Sequence, residues 1–98
     1  MSAGQPVLLL APEDNVLIAV RDLPAGQRLV DGGDEIVLPD AVPLGHKLAR
    51  RPIPRGASVI KYGASIGSAT RDIPAGAWVH LHNLASDYLA TAGAGDRP

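Results

Sequence analysis

The sequence predicts a small all-β domain, and three observations carry that prediction. The chain has 98 residues, which fits a single domain with one modest core. That core has to be aliphatic, because the sequence contains no Phe, one Trp and two Tyr. Eleven Gly and nine Pro are too many for a helical bundle. We therefore expect short strands joined by Pro/Gly turns.

The strands are predicted from alternating apolar residues and from β-branched residues. Asp14 and Asn15 lie ahead of Val16, at the start of the second of them, and are expected to fix a turn through side-chain to backbone hydrogen bonds. The Asp-Gly-Gly-Asp run at 31–34 is typical of a hairpin turn. The predicted strands are 7–10, 15–20, 28–30, 35–38, 46–49, 58–60, 65–69 and 77–82.

A short phrase recurs three times, as RDLPAG, RPIPRG and RDIPAG at 21–26, 51–56 and 71–76. Each copy predicts a turn, because an apolar residue enters the core, proline fixes φ and glycine tolerates positive φ. We expect local ion pairs between Arg21 and Asp22 and between Arg71 and Asp72. The middle copy has Pro52 in place of the aspartate, so no such pair is expected there.

Composition argues against several classes of function. The net charge of −1 does not supply the positive field that a nucleic-acid phosphate backbone requires. The sequence has no cysteine, which excludes disulfides and thiolate chemistry and fits a cytoplasmic protein. The apolar run at 7–11 is too short for a signal-peptide core or a membrane span. A soluble cytoplasmic protein is expected, with a mobile segment 1–6, one domain 7–89 and a disordered tail 90–98 that we interpret as a natural end.

The histidines are the main candidates for chemistry. His80 and His82 would lie on one face of a strand. Two such imidazoles can ligate a divalent metal, or they can bind and protonate a substrate carboxylate. Asn83 adds an amide that can hydrogen-bond a hydroxy acid. The alternative interpretation is an exposed strand end that tolerates histidine.

Two further pairs are candidate substrate-binding residues. His46 and Lys47 follow Gly45, and adjacent strand residues face opposite ways, so we favour His46 for a shared site. Lys47 and Lys61 are candidates for binding a substrate carboxylate, and Tyr62 for hydrogen bonding or proton transfer. The alternatives are a turn-stabilising histidine, solvated lysines and a half-buried tyrosine.

These motifs resemble the SAF domain of the altronate and galactarate dehydratase family, which also occurs as the small subunit of (2R)-sulfolactate sulfo-lyase. The resemblance covers about residues 6–84, and three segments carry most of it: GHK at 45–47, KYG at 61–63 and WVHLHN at 78–83. It implies a β-clip fold and a hydroxy-acid site shared with a large catalytic lyase subunit. It further implies a divalent metal, Fe²⁺ or Mn²⁺, shared with that subunit, and catalysis involving His80, His82 and His46.

The chain alone is not expected to be an active enzyme. Removing a proton beside a carboxylate requires strong charge stabilisation, a general base and a general acid, and three histidines supply one wall of such a site. Two alternatives stay open: a non-catalytic module that binds carbohydrate or a protein partner, and a purely structural subunit. The sequence leaves open whether copies of the chain form a homo-oligomer.

Overall fold

The computed structural model describes residues 5–86, and within them the chain is all-β, as predicted. No helix in this part of the chain is long and apolar enough to cross a membrane. Most of the segment predicted to be mobile, 1–6, and all of the predicted tail, 90–98, lie outside the described residues.

Nine short strands make up the domain. Every predicted strand corresponds to one of them, although four of the eight, β1, β2, β5 and β8, are shorter than predicted. Strand β9 was not predicted. The strands are β1 (Val7–Leu8), β2 (Val16–Ala19), β3 (Arg28–Asp31), β4 (Asp34–Val37), β5 (Lys47–Ala49), β6 (Ser58–Lys61), β7 (Ala64–Ala69), β8 (Trp78–Val79) and β9 (Leu84–Ala85).

The strands form three antiparallel sheets. A central sheet has the order β1-β2-β5-β8. Strands β3 and β4 form a hairpin, and β6, β7 and β9 form a three-stranded sheet that contains a second hairpin. Antiparallel pairing fits the short connections, because hairpins need no long crossover.

The central sheet is covered on both faces, so the domain has two small cores. Cross-strand partners share a face, and Leu17 of β2 pairs with Leu48 of β5 while Val16 pairs with Ala49. The first core consists of Leu17, Ala19, Leu23, Leu29, Ile36, Leu38, Val42 and Leu48. The second consists of Val16, Ala49, Ile53, Val59, Ala69, Ile73, Ala77 and Val79. The aliphatic core residues are thus divided between two layers, one on each face of the central sheet.

The turn phrase occurs four times, and the fourth copy, 42–45, was missed in the sequence. Val42 forms an isolated β-bridge with Leu23, as Ile73 does with Ile53, so the copies act in two pairs. The glycine that ends each copy has positive φ, at 89°, 82°, 86° and 85° in chain order. The domain is therefore an internal duplication, in which each half contains two turns and one hairpin.

The second half is one residue longer than the first, because its hairpin contains a β-bulge. Arg28 to Asp31 pair without interruption with Val37 to Asp34, whereas the register of β6 and β7 shifts between Val59 and Ile60. The extra residue in the second hairpin explains why equivalent positions are 30 apart before it and 31 apart after it, as for Leu23 and Ile53 and then Val42 and Ile73.

The predicted ion pairs of the repeated phrase are wrong. The Asp22 carboxylate accepts a hydrogen bond from the Leu44 backbone N–H at 2.8 Å, and Asp72 accepts one from Arg55 N–H at 2.9 Å. Neither Arg21 nor Arg71 forms an ion pair with any residue in 5–86. Each aspartate instead caps the turn of the copy paired with its own.

Candidate functional site

Trp78 is the centre of a cluster that contains all three histidines of the sequence. The ring centroids of Trp78 and His80 are 5.2 Å apart with the planes 8° from parallel, so these rings are stacked. His82 and His46 meet the indole in tilted contacts at 5.2 and 5.7 Å, and the rings of His46 and His80 are 4.8 Å apart. The predicted meeting of His46, His80 and His82 is therefore present.

The register of the central sheet explains why His46 lies in this cluster. Leu48 pairs with Trp78 across β5 and β8, and alternation places His46 on the same face as Leu48. The Trp78 indole N–H donates a hydrogen bond to His46 Nδ1 at 3.1 Å. Lys47 pairs with Val79 and so faces the opposite side of the sheet, as the sequence predicted.

The predicted strand 77–82 is wrong at its end, because β8 stops at Val79 and a turn follows. The backbone N–H groups of Asn83 and Leu84 donate to the His80 carbonyl at 3.1 and 2.9 Å. His80 therefore begins this turn and His82 lies within it, and both rings contact Trp78. Leu81, between them, is 80% exposed.

Asn83 builds this turn with its side chain. Its Oδ1 accepts a hydrogen bond from the His80 N–H at 2.9 Å, and its Nδ2 donates to the Trp78 carbonyl at 2.8 Å. The residue is buried. Its predicted role as a substrate ligand stays a prediction, but the observed contacts make Asn83 a residue that holds His80 in place.

His80 is half-buried, and its environment favours the neutral imidazole. Burial lowers the pKa of His80, and the charges of His46, Lys47 and His82 lower it further. A neutral imidazole carries a lone pair near neutral pH, which is the state that a general base requires.

The environment of Lys47 disfavours the charged form of its side chain. Burial lowers the pKa of Lys47, and the charge of Lys61 lowers it further. Neither lysine forms an ion pair with an acidic residue in the described range. Strand β5 begins and strand β8 ends at the same end of the antiparallel sheet. Lys47 and the histidine cluster therefore both lie at that end, on opposite faces of the sheet.

Tyr62 lies at the tip of the β6–β7 hairpin and is 72% exposed. It has φ of 58°, which is uncommon for a residue other than glycine. No ring contact joins it to Trp78 or to a histidine in the part of the chain that is described. The structure therefore does not place Tyr62 with the histidine cluster.

Asp14 holds the backbone of that hairpin tip. Its carboxylate accepts hydrogen bonds from the N–H groups of Gly63, Tyr62 and Ala11 at 2.8, 2.9 and 3.1 Å. Burial raises the pKa of Asp14, but these hydrogen bonds and the charge of Arg50 outweigh burial and leave it below its ordinary value of 3.8. The predicted turn-fixing role of Asp14 is confirmed. The same prediction is wrong for Asn15, whose side chain instead bonds the backbone of β6, donating to the Ser58 carbonyl at 2.9 Å and accepting from the Ile60 N–H at 2.7 Å.

Sequence reasoning missed the part that Trp78 plays. Trp78 was included in the WVHLHN motif and was assigned no function. The signal was present, since the sole Trp of the sequence lies two and four positions before His80 and His82. Its contact with His46 depends on strand register and could not be found from spacing.

The described residues do not by themselves fit a metal ion. No group of three or more His, Asp or Glu side chains in 5–86 is arranged to hold one. His46 Nδ1 already accepts the Trp78 N–H. His80 and His82 therefore remain as two ligands at most, whereas a protein zinc site takes three or four.

Comparison with known proteins connects this site to one family. The sequence profile of the altronate/galactarate dehydratase SAF domain matches residues 5–87. Altronate dehydratase of Bacillus subtilis is 44% identical over 71 residues, which are 72% of this chain and 14% of that enzyme. Galactarate dehydratase (L-threo-forming) of Escherichia coli is 46% identical over 68 residues, which are 67% of this chain and 12% of the enzyme.

A shorter relative matches along most of its length. The (2R)-sulfolactate sulfo-lyase subunit alpha of Chromohalobacter salexigens is 36% identical over 74 residues, which are 69% of this chain and 79% of that subunit. The dehydratases are therefore several times longer than this chain, whereas the alpha subunit is of similar size. The matched range includes every histidine and the whole described fold, and the chain belongs to the altronate/galactarate dehydratase SAF-domain family.

Proposed function

We propose that the chain is the small SAF subunit of a lyase that acts on a hydroxy acid, together with a large catalytic subunit. The reaction is either an altronate dehydratase-like loss of water or a sulfolactate sulfo-lyase-like loss of sulfite. The observation that carries the proposal is the contact of His46, His80 and His82 with one indole ring at an end of the central sheet.

The charges around this cluster support an anionic substrate. Lys47 and Lys61 are both partly buried, and the charge of Lys61 adds to the effect of burial in lowering the pKa of Lys47. An unneutralised pair of lysines is stabilised when an anion binds between or beside them. A hydroxy acid brings at least one carboxylate, so we assign Lys47 and Lys61 to substrate binding.

The histidines supply proton transfer in this proposal. His80, held by Asn83 and kept neutral, accepts or returns a proton at the substrate, and the exposed His82 is the second candidate. The large subunit supplies the remaining charge stabilisation. We also propose that a divalent metal, Fe²⁺ or Mn²⁺, is held mainly by that subunit. His80 and His82 are the ligands that this chain can add, and a histidine whose lone pair binds the metal leaves proton transfer to the other.

Two finer points belong to the same proposal. A cytoplasmic location is proposed because the sequence lacks cysteine. Tyr62 is proposed to meet the large subunit or the substrate from the hairpin tip, because an exposed aromatic in a disfavoured backbone conformation is typical of a functional position.

The test is reconstitution. The chain is co-expressed with a large-subunit homologue from the same genome, the complex is purified, and release of water or sulfite is assayed with altronate, galactarate and sulfolactate. We expect turnover of at least one acid. His80→Ala should lower turnover by roughly 100-fold or more with the complex retained, as loss of a general base does.

Val37→Ala, an exposed change on the first hairpin, is the control and should keep turnover. Unchanged turnover in both His80→Ala and His82→Ala would reduce the chain to a structural subunit. A chain that forms no complex and supports no turnover would instead favour a binding module.

A further inference from the structure

The Trp78–His46 hydrogen bond fixes where the proton of His46 lies. An indole N–H can donate a hydrogen bond and cannot accept one. Its partner at 3.1 Å is His46 Nδ1, which must therefore carry a lone pair. A neutral imidazole has one proton, so the proton of His46 is on Nε2.

We propose that Trp78 is a positioning residue that holds His46 in the Nε2–H tautomer, so that His46 serves the site as a hydrogen-bond donor to a substrate oxygen. The tautomer follows from the hydrogen bond alone. The donor role rests on the proposed function, because it needs a bound hydroxy acid.

Trp78 is well placed for this task because its own position is fixed from several sides. The backbone of Trp78 pairs with that of Leu48. Its backbone N–H donates to the Asp40 carboxylate at 3.3 Å, and its backbone carbonyl accepts from the Asn83 side chain. The indole stacks on His80. The ring therefore has little freedom to turn its N–H away from His46.

The assignment divides the work among the histidines. For His46 to bind a metal or accept a proton through Nε2, its proton would have to move to Nδ1. Two N–H groups would then face each other at 3.1 Å, and the hydrogen bond would be lost. His46 is thus a donor, and proton acceptance falls to His80 and His82.

The tautomer is tested first, on the full chain without a partner. The histidines are labelled with ¹⁵N, and long-range ¹H–¹⁵N correlations are recorded at about pH 8, where histidines are largely neutral. The His46 signals are assigned by their absence in His46→Gln. We expect a protonated Nε2 and a bare Nδ1 at His46 in the unaltered chain. A protonated Nδ1 there would overturn the proposal, and this result needs no variant of Trp78.

Trp78→Phe then tests the cause. Phenylalanine keeps an aromatic ring beside His80 and lacks the N–H, so we expect the His46 signals to shift toward a mixture of the two tautomers. Retention of the full Nε2–H signal in a folded Trp78→Phe chain would overturn the role of Trp78.

The donor role is tested by turnover in the complex with the large subunit. The Gln side chain places an N–H near the position of His46 Nε2, so His46→Gln should retain much more activity than His46→Ala, which we expect to lose roughly 10- to 100-fold. Equal losses in the two variants would overturn the donor role. A complex that turns over none of the three acids would overturn the proposed function together with that role, while the NMR result decides the tautomer independently.

Discussion

The two halves of the duplicated domain hold their hairpins in different ways. In the first half the hairpin tip is Gly32-Gly33, both at positive φ, and Asp31 before it forms a 2.8 Å ion pair with Arg50. In the second half the tip is Tyr62-Gly63, also at positive φ, and Lys61 before it repels Lys47. The same backbone shape thus carries glycine and a paired charge in one half, and tyrosine and an unpaired charge in the other.

The difference supports the proposal that the second half is the one that binds substrate. A left-handed backbone costs a non-glycine residue roughly 1–2 kcal/mol, and an unneutralised lysine pair adds repulsion. Both unfavourable features lie in the half whose hairpin strand β7 pairs with β9, directly after the His80 turn. The buried Asp14, which accepts hydrogen bonds from the Tyr62 and Gly63 backbone, compensates for the disfavoured tip. Such features are expected at functional sites.

The largest predicted effect comes from removing that compensation. Asp14→Asn places an amide N–H₂ against backbone donors that now meet a carboxylate, so at least one of them loses its acceptor inside the protein. We expect the melting temperature to fall by roughly 10 °C or more. Circular dichroism melts measure it, with Asp34→Asn, at an exposed position next to the tip of the first hairpin, as the control.

The same carboxylate predicts a pH dependence of stability. The folded pKa of Asp14 lies below its ordinary value of 3.8, so its contribution is complete above the unfolded pKa and is lost as the pH falls through the folded pKa. The difference in melting temperature between the natural chain and Asp14→Asn should therefore shrink on acidification below about pH 4. A difference in melting temperature that stayed constant down to pH 2 would contradict the inference that the ionised Asp14 carboxylate stabilises the hairpin tip.

Local chemistry made most of the fold predictable. Pro-Gly turns, the Gly32-Gly33 hairpin and the alternating strands were found from the sequence because each depends on residues close together in the chain. The duplication was missed because its fourth copy, 42–45, lacks the Arg-Asp opening of the first. That copy is recognised by its β-bridge to Leu23, which is a contact between distant segments.

The candidate site was predictable in its members and not in its geometry. The histidines were identified, and His80 and His82 were placed together for the wrong reason, since a turn and not a strand joins them. The turn forms because Asn83 is buried and bonds the backbone at both ends of it, and burial cannot be deduced from the sequence of the turn. The predicted ion pairs at Asp22 and Asp72 were wrong for a similar reason, because each carboxylate accepts a hydrogen bond from a backbone N–H of the paired copy, which is a better-placed donor than a neighbouring exposed arginine.

The second half also contains a close approach of two strands, next to the β-bulge of its hairpin. Gly67 lies in β7 where an added Cβ would overlap the Ala85 carbonyl of β9 and come within 2.9 Å of Leu84. Gly67→Ala should therefore push β9 away from β7 and lower the free energy of unfolding by about 2–3 kcal/mol, the range of an overpacked site. Urea denaturation measures it. Gly56→Ala is the control, since a Cβ there meets open space and the change costs backbone strain alone, about 1–2 kcal/mol. Equal losses in the two variants would contradict the close packing at Gly67.

Exchanging the hairpin tips tests the strain directly. Tyr62→Asn should raise the free energy of unfolding by up to about 1 kcal/mol, because asparagine adopts the left-handed conformation more readily. Gly32→Tyr should lower the free energy of unfolding by about 1–2 kcal/mol. Within residues 5–86 no carboxylate bonds the backbone of the first tip as Asp14 bonds that of the second. Both are measured by urea denaturation. A loss of stability in Tyr62→Asn would mean that the tyrosine ring contributes packing that outweighs its backbone strain.

The smallest predicted effect concerns charge, and its sign differs between the halves. Lys47→Met removes a partly buried cation that Lys61 repels, so the free energy of unfolding should rise by about 0.5 kcal/mol or less near neutral pH. The lowered pKa of Lys47 means that the folded state disfavours its charge. The gain in the free energy of unfolding should therefore vanish as the pH rises through the pKa that lysine has in the unfolded chain, about 10.4.

Arg28→Met in the first half breaks an exposed 2.9 Å pair with Glu35 and should lower the free energy of unfolding by a similar small amount. Urea denaturation at pH 7 and pH 11 measures both. If Lys47→Met also weakens turnover in the complex, the second half keeps a destabilising charge because the substrate needs it.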